Sequence, residues 1–258
     1  MPGFNVHSVL VTGANRGIGL ELVKQFLEKS NPPKWVFATC RDPEGVRAQE
    51  LRNLASRHPN LEIVALEATD PASIKAAAGR VEYLKGSGLN LLINNAGIVR
   101  VTTLESETPE DMSLVYATNV IGPMLVSQAF LPLLKKAVQQ STQTGLSCSK
   151  AAIVNISSDG GSITNVFAWH LGHVVSYRCS KAALNMLTKC QSLGYASDGI
   201  LSIAVHPGWV QTDMGNASSL QAPLTVDASV RGILNVLTSL SEKDNGTFVD
   251  WEGKVLPW

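Results

Sequence analysis

The sequence predicts an α/β protein: one doubly wound domain over residues 1–258, with a seven-stranded, mostly parallel sheet and helices on both faces. Three observations predict it. Short apolar, β-rich runs alternate with longer segments of helical period, as parallel strands joined by crossover helices require. A glycine-rich loop stands between the first strand and the first helix. No internal repeat, low-complexity tract or Gly/Ser linker breaks the rhythm.

The apolar runs predict strands at 8–12, 35–40, 63–67, 89–94, 151–155, 201–205 and 247–251. All but the last, which is flanked by charge, are of the fully buried type. Helical period predicts helices at 18–28, 44–57, 72–84, 109–136, 177–193 and 226–240. Two of these starts carry their own mechanism. Asp70-Pro71 and Thr108-Pro109 each place a side-chain acceptor at the N-cap and a proline at the first helical position, where its missing N–H costs nothing. Two stretches fall outside the rhythm, a polar loop at 139–150 and an excursion with glycines and aromatics at 160–175.

Composition narrows the partners. Twenty-one basic and twenty-one acidic residues cancel, so no overall field attracts nucleic acid or an anionic membrane. Charged residues make up only 16% of the chain, below the roughly 25% of average soluble domains, which points to extra buried surface. The opening MPGFNVHSVLVTG runs straight into a strand without the basic start and cleavage site of a secretory leader. Cys40, Cys148, Cys179 and Cys190 are scattered without CxxC spacing. A cytoplasmic protein with reduced thiols and no metal site is expected.

After the first strand comes Thr12-Gly13-Ala14-Asn15-Arg16-Gly17-Ile18-Gly19, and then a helix. Glycines let the backbone approach a pyrophosphate without a Cβ clash, and the helix start offers free N–H groups and the positive end of its dipole. Strand, glycine loop and helix in this order predict a Rossmann-type dinucleotide site. The spacing, TGxxxGxG, differs from the commoner GxGxxG. Asn94-Asn95-Ala96-Gly97 closes the fourth strand with amides and small residues, which would hold the sheet edge and let a cofactor lie close. At the end of the second strand, where an acid commonly marks NAD, Cys40 precedes Arg41. Without the carboxylate, and with Arg41 and Arg16 available for charge-assisted bonds to a 2′-phosphate, NADP(H) is the expected cofactor.

Tyr177-Arg178-Cys179-Ser180-Lys181 puts a phenol and an ammonium on one helix face at i, i+4. A phenol with a reference pKa of about 10 is a poor acid at neutral pH; one cation at about 4 Å and an effective dielectric near 20 is worth roughly 4 kcal/mol. One lysine is therefore expected to bring Tyr177 toward working pH. Ser157 and Ser158 close the fifth strand and offer hydroxyls that polarise a carbonyl oxygen, either of them on sequence grounds. Asn119 sits mid-helix, where asparagine is unfavourable, so its amide is expected to satisfy something outside the helix. His206-Pro207-Gly208-Trp209-Val210-Gln211-Thr212 follows the sixth strand, with a Pro-Gly pair suited to backbone passing over a planar ligand; a structural role is expected for His206.

With these motifs in this order, the chain resembles the short-chain dehydrogenase/reductase family over essentially its whole length. PPKWVFATCRDP, LPLLKKA, HPGWVQTDMG and NGTFVDWEGKVLPW are similar to the sniffer-type carbonyl reductases, near the bacterial C-factor group. The resemblance implies a cytosolic carbonyl reductase acting on quinones, aldehydes or diketones, with Asn119, Ser158, Tyr177 and Lys181 as the catalytic set. Ser158 would be the carbonyl-binding serine, Asn119 would place a water that relays protons to Lys181, and Lys181 would also bind the nicotinamide ribose. Cofactor contacts are implied at Gly13, Asn15, Arg16, Gly17, Ile18, Gly19, Arg41, Asn94, Ala96, Gly97, Tyr177, Lys181, Pro207 and Gly208. Val210 and Thr212 would meet the nicotinamide carboxamide, and Glu67 would meet adenine, where the family usually has Asp. Relatives often pair through the long fourth and fifth helices, so a homodimer or homotetramer stands beside a monomer. The excursion with Phe167, Trp169 and His170 is longer than in many members; its aromatics either shape a flat apolar pocket or anchor the loop. Two other functions are compatible with the same residues: oxidation of an alcohol or steroid, and a dinucleotide-binding sensor without turnover.

Overall fold

Residues 5–86, 88–217 and 221–258 are described in the computed structural model. Seven strands form one sheet: β1 (Ser8–Val11), β2 (Trp35–Cys40), β3 (Leu61–Ala65), β4 (Leu91–Asn94), β5 (Ala152–Ile156), β6 (Leu201–His206) and β7 (Phe248–Asp250). Their order is β3-β2-β1-β4-β5-β6-β7, and every neighbouring pair is parallel. Chain direction across the sheet reverses between β1 and β4, the switch point at which open α/β sheets bind ligands.

The helices are α1 (Gly17–Leu27), α2 (Gln49–Ala55), α3 (Pro71–Lys85), α4 (Pro109–Tyr116), α5 (Gly122–Gln140), α6 (Val175–Gly194) and α7 (Val226–Ser239). Alternate strand residues feed two cores, as a period of two dictates. Val9, Val36, Leu91, Val154 and Ile203 face a core built with Leu22 and Phe26 of α1 and Ile233 and Leu237 of α7. Leu10, Phe37, Leu92 and Ile153 face the opposite core, with Ile74 of α3 and Phe130 and Leu134 of α5. Both predicted proline caps are present. Asp70 accepts from the Ala72 N–H at 2.9 Å, and Thr108 accepts from the Asp111 N–H at 3.1 Å.

Three expectations are corrected. The third strand begins and ends two residues earlier than the predicted 63–67, because the Glu67 N–H leaves the ladder to donate to Ser73 Oγ. As the outer strand it is only partly buried, with Ala65 exposed. The predicted helix at 44–57 is a short 3-10 turn, Val46–Ala48, followed by the seven residues of α2. Gly45, in extended conformation, delays the helix. The predicted unbroken helix at 109–136 contains a π-helical turn at Ala117–Ile121. The whole helical stretch Pro109–Gln140 is long and apolar enough to cross a membrane, but it packs on the sheet through Val126, Phe130, Leu133 and Leu134.

Candidate active site

The C-terminal ends of β1, β2, β4, β5 and β6 open onto a cleft of about 930 Å³, within the usual range of roughly 300–1,000 Å³ for small-molecule sites. Its floor is the loop between β1 and α1. A Cβ on Gly13, whose φ is +62°, would lie 2.9 Å from Ala96 Cα, and one on Gly17, at φ +52°, would lie 3.3 Å from Thr212 Cγ2. Thr12 Oγ1 accepts from the N–H groups of Asn95 and Ala96, both at 3.0 Å, and ties the two loops together. No side chain caps the start of α1, which leaves its first-turn N–H groups for an anion. A backbone cradle too tight for side chains, at an uncapped helix start, fits a dinucleotide.

The corner expected to discriminate cofactors holds a paired cation. Cys40, Arg41 and Asp42 line the cleft beside Glu67 and Thr69. Arg41 Nε lies 3.7 Å from Glu67 Oε2, on the residue assigned to adenine, with the arginine side chain 75% exposed. Arg16 Nη1 bonds Asp213 Oδ2 at 2.9 Å across the mouth of the cleft.

A second, open cleft of about 250 Å³ adjoins the first, and Ile18, Tyr177, Pro207, Thr212 and Met214 line both. Its wall is mainly apolar, with Phe167, Leu171 and Trp209, and carries Ser158 beside Tyr177. The first turns of α6 deliver Tyr177 and Lys181. Lys181 Nζ donates to the Ile156 carbonyl at 2.8 Å and stands 5.5 Å from the centre of the Tyr177 ring. The π turn rotates Asn119 out of the helical ladder: its Nδ2 donates to the Ile98 carbonyl at 2.9 Å and Ser180 Oγ at 3.0 Å, and its Oδ1 accepts from the Ile98 N–H at 2.9 Å. Gly97 fits between Asn119 and Lys181, since a Cβ there would lie 3.3 Å from Asn119 Oδ1 and 3.8 Å from Lys181 Nζ. The two serines separate cleanly. Ser157 borders the larger cleft, but its Oγ is buried and donates to Asn185 Oδ1 at 2.6 Å, whereas Ser158 lines the smaller, apolar cleft and its Oγ accepts from the Gly160 N–H at 3.0 Å.

The short chain dehydrogenase family matches residues 7–222. The chain belongs to that family. Among solved structures, the NADPH-bound carbonyl reductase from chicken fatty liver is 65% identical at a TM-score of 0.95, covering 99% of this chain and 100% of that one. The carbonyl reductase Sniffer of D. melanogaster is 37% identical at a TM-score of 0.92, over 98% and 100%. An uncharacterized oxidoreductase of Schizosaccharomyces pombe is 32% identical over 265 residues, 96% of each chain.

Within this short-chain dehydrogenase, most residues expected to contact cofactor do line the larger cleft: Gly13, Asn15, Arg16, Gly17, Ile18, Arg41, Glu67, Ala96, Gly97, Tyr177, Lys181, Pro207 and Thr212. Gly208 and Val210 line the smaller one. Two of the expected contacts line neither cleft. Asn94 is buried below the cleft, donating from Nδ2 to Asn155 Oδ1 at 2.9 Å and to Ser127 Oγ at 3.2 Å; Asn155 in turn donates to Thr188 and Gln191 of α6. It ties strands β4 and β5 to two helices, because a period of two turns it away from the sheet edge that its neighbours form. Gly19 is also buried and lies off the cleft. A Cβ there would stand 2.3 Å from the Gly13 carbonyl oxygen, so this glycine serves the packing of the loop.

Burial reverses the expected electrostatics of the tyrosine. The Tyr177 phenol is pushed up to about 12, chiefly by desolvation and further by Asp159, with partial relief from a hydrogen bond to Ser158 and from Arg178. Desolvation also brings Lys181 down to about 8. Lys181 is not among the groups that relieve the phenol here; its ammonium donates to the Ile156 carbonyl. In the 160–175 excursion, Trp169 stacks on His173 at 4.3 Å, under the Arg178 guanidinium, and anchors the loop, while Phe167 lines the apolar cleft. Sequence reasoning gave no role to Asp159 or Arg178, which line the same cleft. An acid directly after the Ser-Ser pair and an arginine directly after the tyrosine were the available signals.

Proposed function

We propose that the protein is an NADP(H)-dependent carbonyl reductase that takes carbonyl compounds with a flat, apolar body. The observation that carries this reading is the place of Tyr177, on the shared wall of the dinucleotide cleft and the apolar cleft beside Ser158. The bound cofactor would supply a hydride to the carbonyl carbon. Ser158 Oγ would hold the carbonyl oxygen by a hydrogen bond that strengthens as negative charge develops. Tyr177 would give its phenolic proton to that oxygen, and its raised pKa keeps the proton in place at neutral pH. Lys181 would set a positive charge under the site and reach the cofactor ribose from its seat on Ile156. Asn119, locked by Ile98 and Ser180, would hold the end of the proton path beside Gly97 and Lys181.

NADP(H) is supported by Arg41 following Cys40 at the end of β2, where the position that commonly carries the NAD-marking acid holds a cysteine. The chicken carbonyl reductase, 65% identical, binds NADPH. The test is consumption of NADPH and NADH against quinones, aldehydes and keto-steroids by wild-type and Tyr177→Phe protein. Tyr177→Phe is expected to lose about 10²–10⁴ of kcat while binding NADPH unchanged. Wild-type turnover in that variant refutes the role of the phenol.

A further inference from the structure

The Asp159 carboxylate lines the apolar cleft beside Ser158 and Tyr177 and has no part in the chemistry proposed above. One oxygen accepts from Ser158 Oγ at 3.4 Å, and the other lies 3.5 Å from His206 Nε2. Two neighbours could oppose it, and neither meets it as a close cation: the Arg178 guanidinium keeps its charge but turns its bonded N–H groups to backbone carbonyls, and His206 lies against the second carboxylate oxygen. Arg178 spends Nε on the His173 carbonyl at 2.8 Å and Nη2 on the Gly172 carbonyl at 3.1 Å, and lies over Trp169; its Nη1 is buried with no partner. Burial holds the His206 imidazole below its ordinary range, against the opposing pull of Asp159 and Asp250, so it is mostly neutral at pH 7. The acid thus places negative charge on the wall of a small apolar space, where solvent screens it poorly.

We infer that Asp159 sets the charge specificity of the substrate cleft, admitting neutral carbonyl compounds and rejecting those that carry a carboxylate. The inference rests on the carbonyl-reductase reading. It predicts that neutralising Asp159 leaves Arg178 as the uncompensated charge at the cleft, so that the preference shifts toward anions.

The experiment compares 4-carboxybenzaldehyde with its methyl ester, two flat aldehydes that differ in charge, by NADPH oxidation with wild-type, Asp159→Asn and Asp159→Glu protein. The quantity read is the ratio of kcat/KM for ester to that for acid, which cancels any loss common to both. Wild type is expected to favour the ester by about tenfold or more, as expected for like charges a few ångströms apart in a partly screened site. Asp159→Asn, which keeps an acceptor for Ser158, should lower the ratio about tenfold, mainly through KM for the acid; Asp159→Glu should keep it. Asp159→Ser serves as a second neutral variant. Wild-type protein that reduces acid and ester equally well overturns the inference without any variant. A ratio that stays within twofold in the neutral variants overturns it while leaving the reductase reading intact. Absence of NADPH oxidation with either aldehyde and with the quinones and keto-steroids overturns both.

Discussion

Lys181 Nζ donates a 2.8 Å hydrogen bond to the carbonyl oxygen of Ile156, the last residue of β5. The ammonium is thereby fixed to the sheet edge, and Tyr177, one helical turn earlier, is carried to the cleft wall.

Lys181 makes activity and stability diverge with pH. Its folded pKa of about 8 lies below the ordinary 10.5, so the ammonium is lost as pH rises through about 8. Reductive kcat/KM is expected to be level below that point and to fall about tenfold per pH unit above it. Stability moves the other way. Between about 8 and 10.5 the unfolded chain holds this proton and the folded one does not, so the contribution of Lys181 to stability rises with pH. Melting curves of wild type and Lys181→Met should therefore show wild type gaining on the variant from pH 8 to 10. A constant difference would place the lysine's titration elsewhere.

The paired serines should fail in different ways. Ser158→Ala removes a group facing the cleft and is expected to cost about 10²–10³ in kcat with little change in melting temperature. Ser157→Ala leaves the buried Asn185 amide without its 2.6 Å partner and is expected to cost about 1–3 kcal/mol of stability with chemistry largely retained. Steady-state kinetics and thermal melts on both variants check the pair; the opposite assignment would exchange the two signatures.

Gly19→Ala probes the packing beneath the dinucleotide loop. The new methyl would stand 2.3 Å from the Gly13 carbonyl oxygen and 2.6 Å from Asn95 Nδ2, so the loop must move. Overpacking of this kind costs about 1–3 kcal/mol, or roughly 2–12 °C in melting temperature for a chain of this size. NADPH affinity, measured by fluorescence titration, is expected to fall in parallel.

Arg41→Ala should weaken NADPH and spare NADH. Hydrogen bonds to a charged phosphate are worth about 1.5–3 kcal/mol, so Kd for NADPH is expected to rise by about ten- to hundredfold. Titration of both cofactors checks this, and an equal rise for NADH would move the 2′-phosphate site away from the Arg41–Glu67 pair.

Helix number was not legible in the chain, because the single helix expected at 109–136 is α4 and α5 divided by a π turn; strand number, the order of the glycine loop and the Tyr-Lys spacing were. They depend on local chemistry: the period of apolar residues, proline and Asx caps, and the need for glycine where backbone must approach a phosphate. The third strand was misplaced because a serine six residues beyond Glu67 competes for its N–H. No periodicity records such a partner.

What the sequence by itself determined is thus the doubly wound sheet, the cleft at its switch point and the residue types available there. Only the tertiary structure decided which member of each adjacent pair faces that cleft. Ser158 lines the apolar cleft while Ser157, which also borders the larger cleft, turns its hydroxyl to Asn185 of α6, and Asn95 with Ala96 line the larger cleft while Asn94 turns to buried helices. The height of the Tyr177 pKa was decided there too. Desolvation and the Ser158 and Asp159 side chains come from segments distant in sequence, and the strength of each depends on distance and burial, which a linear spacing does not contain.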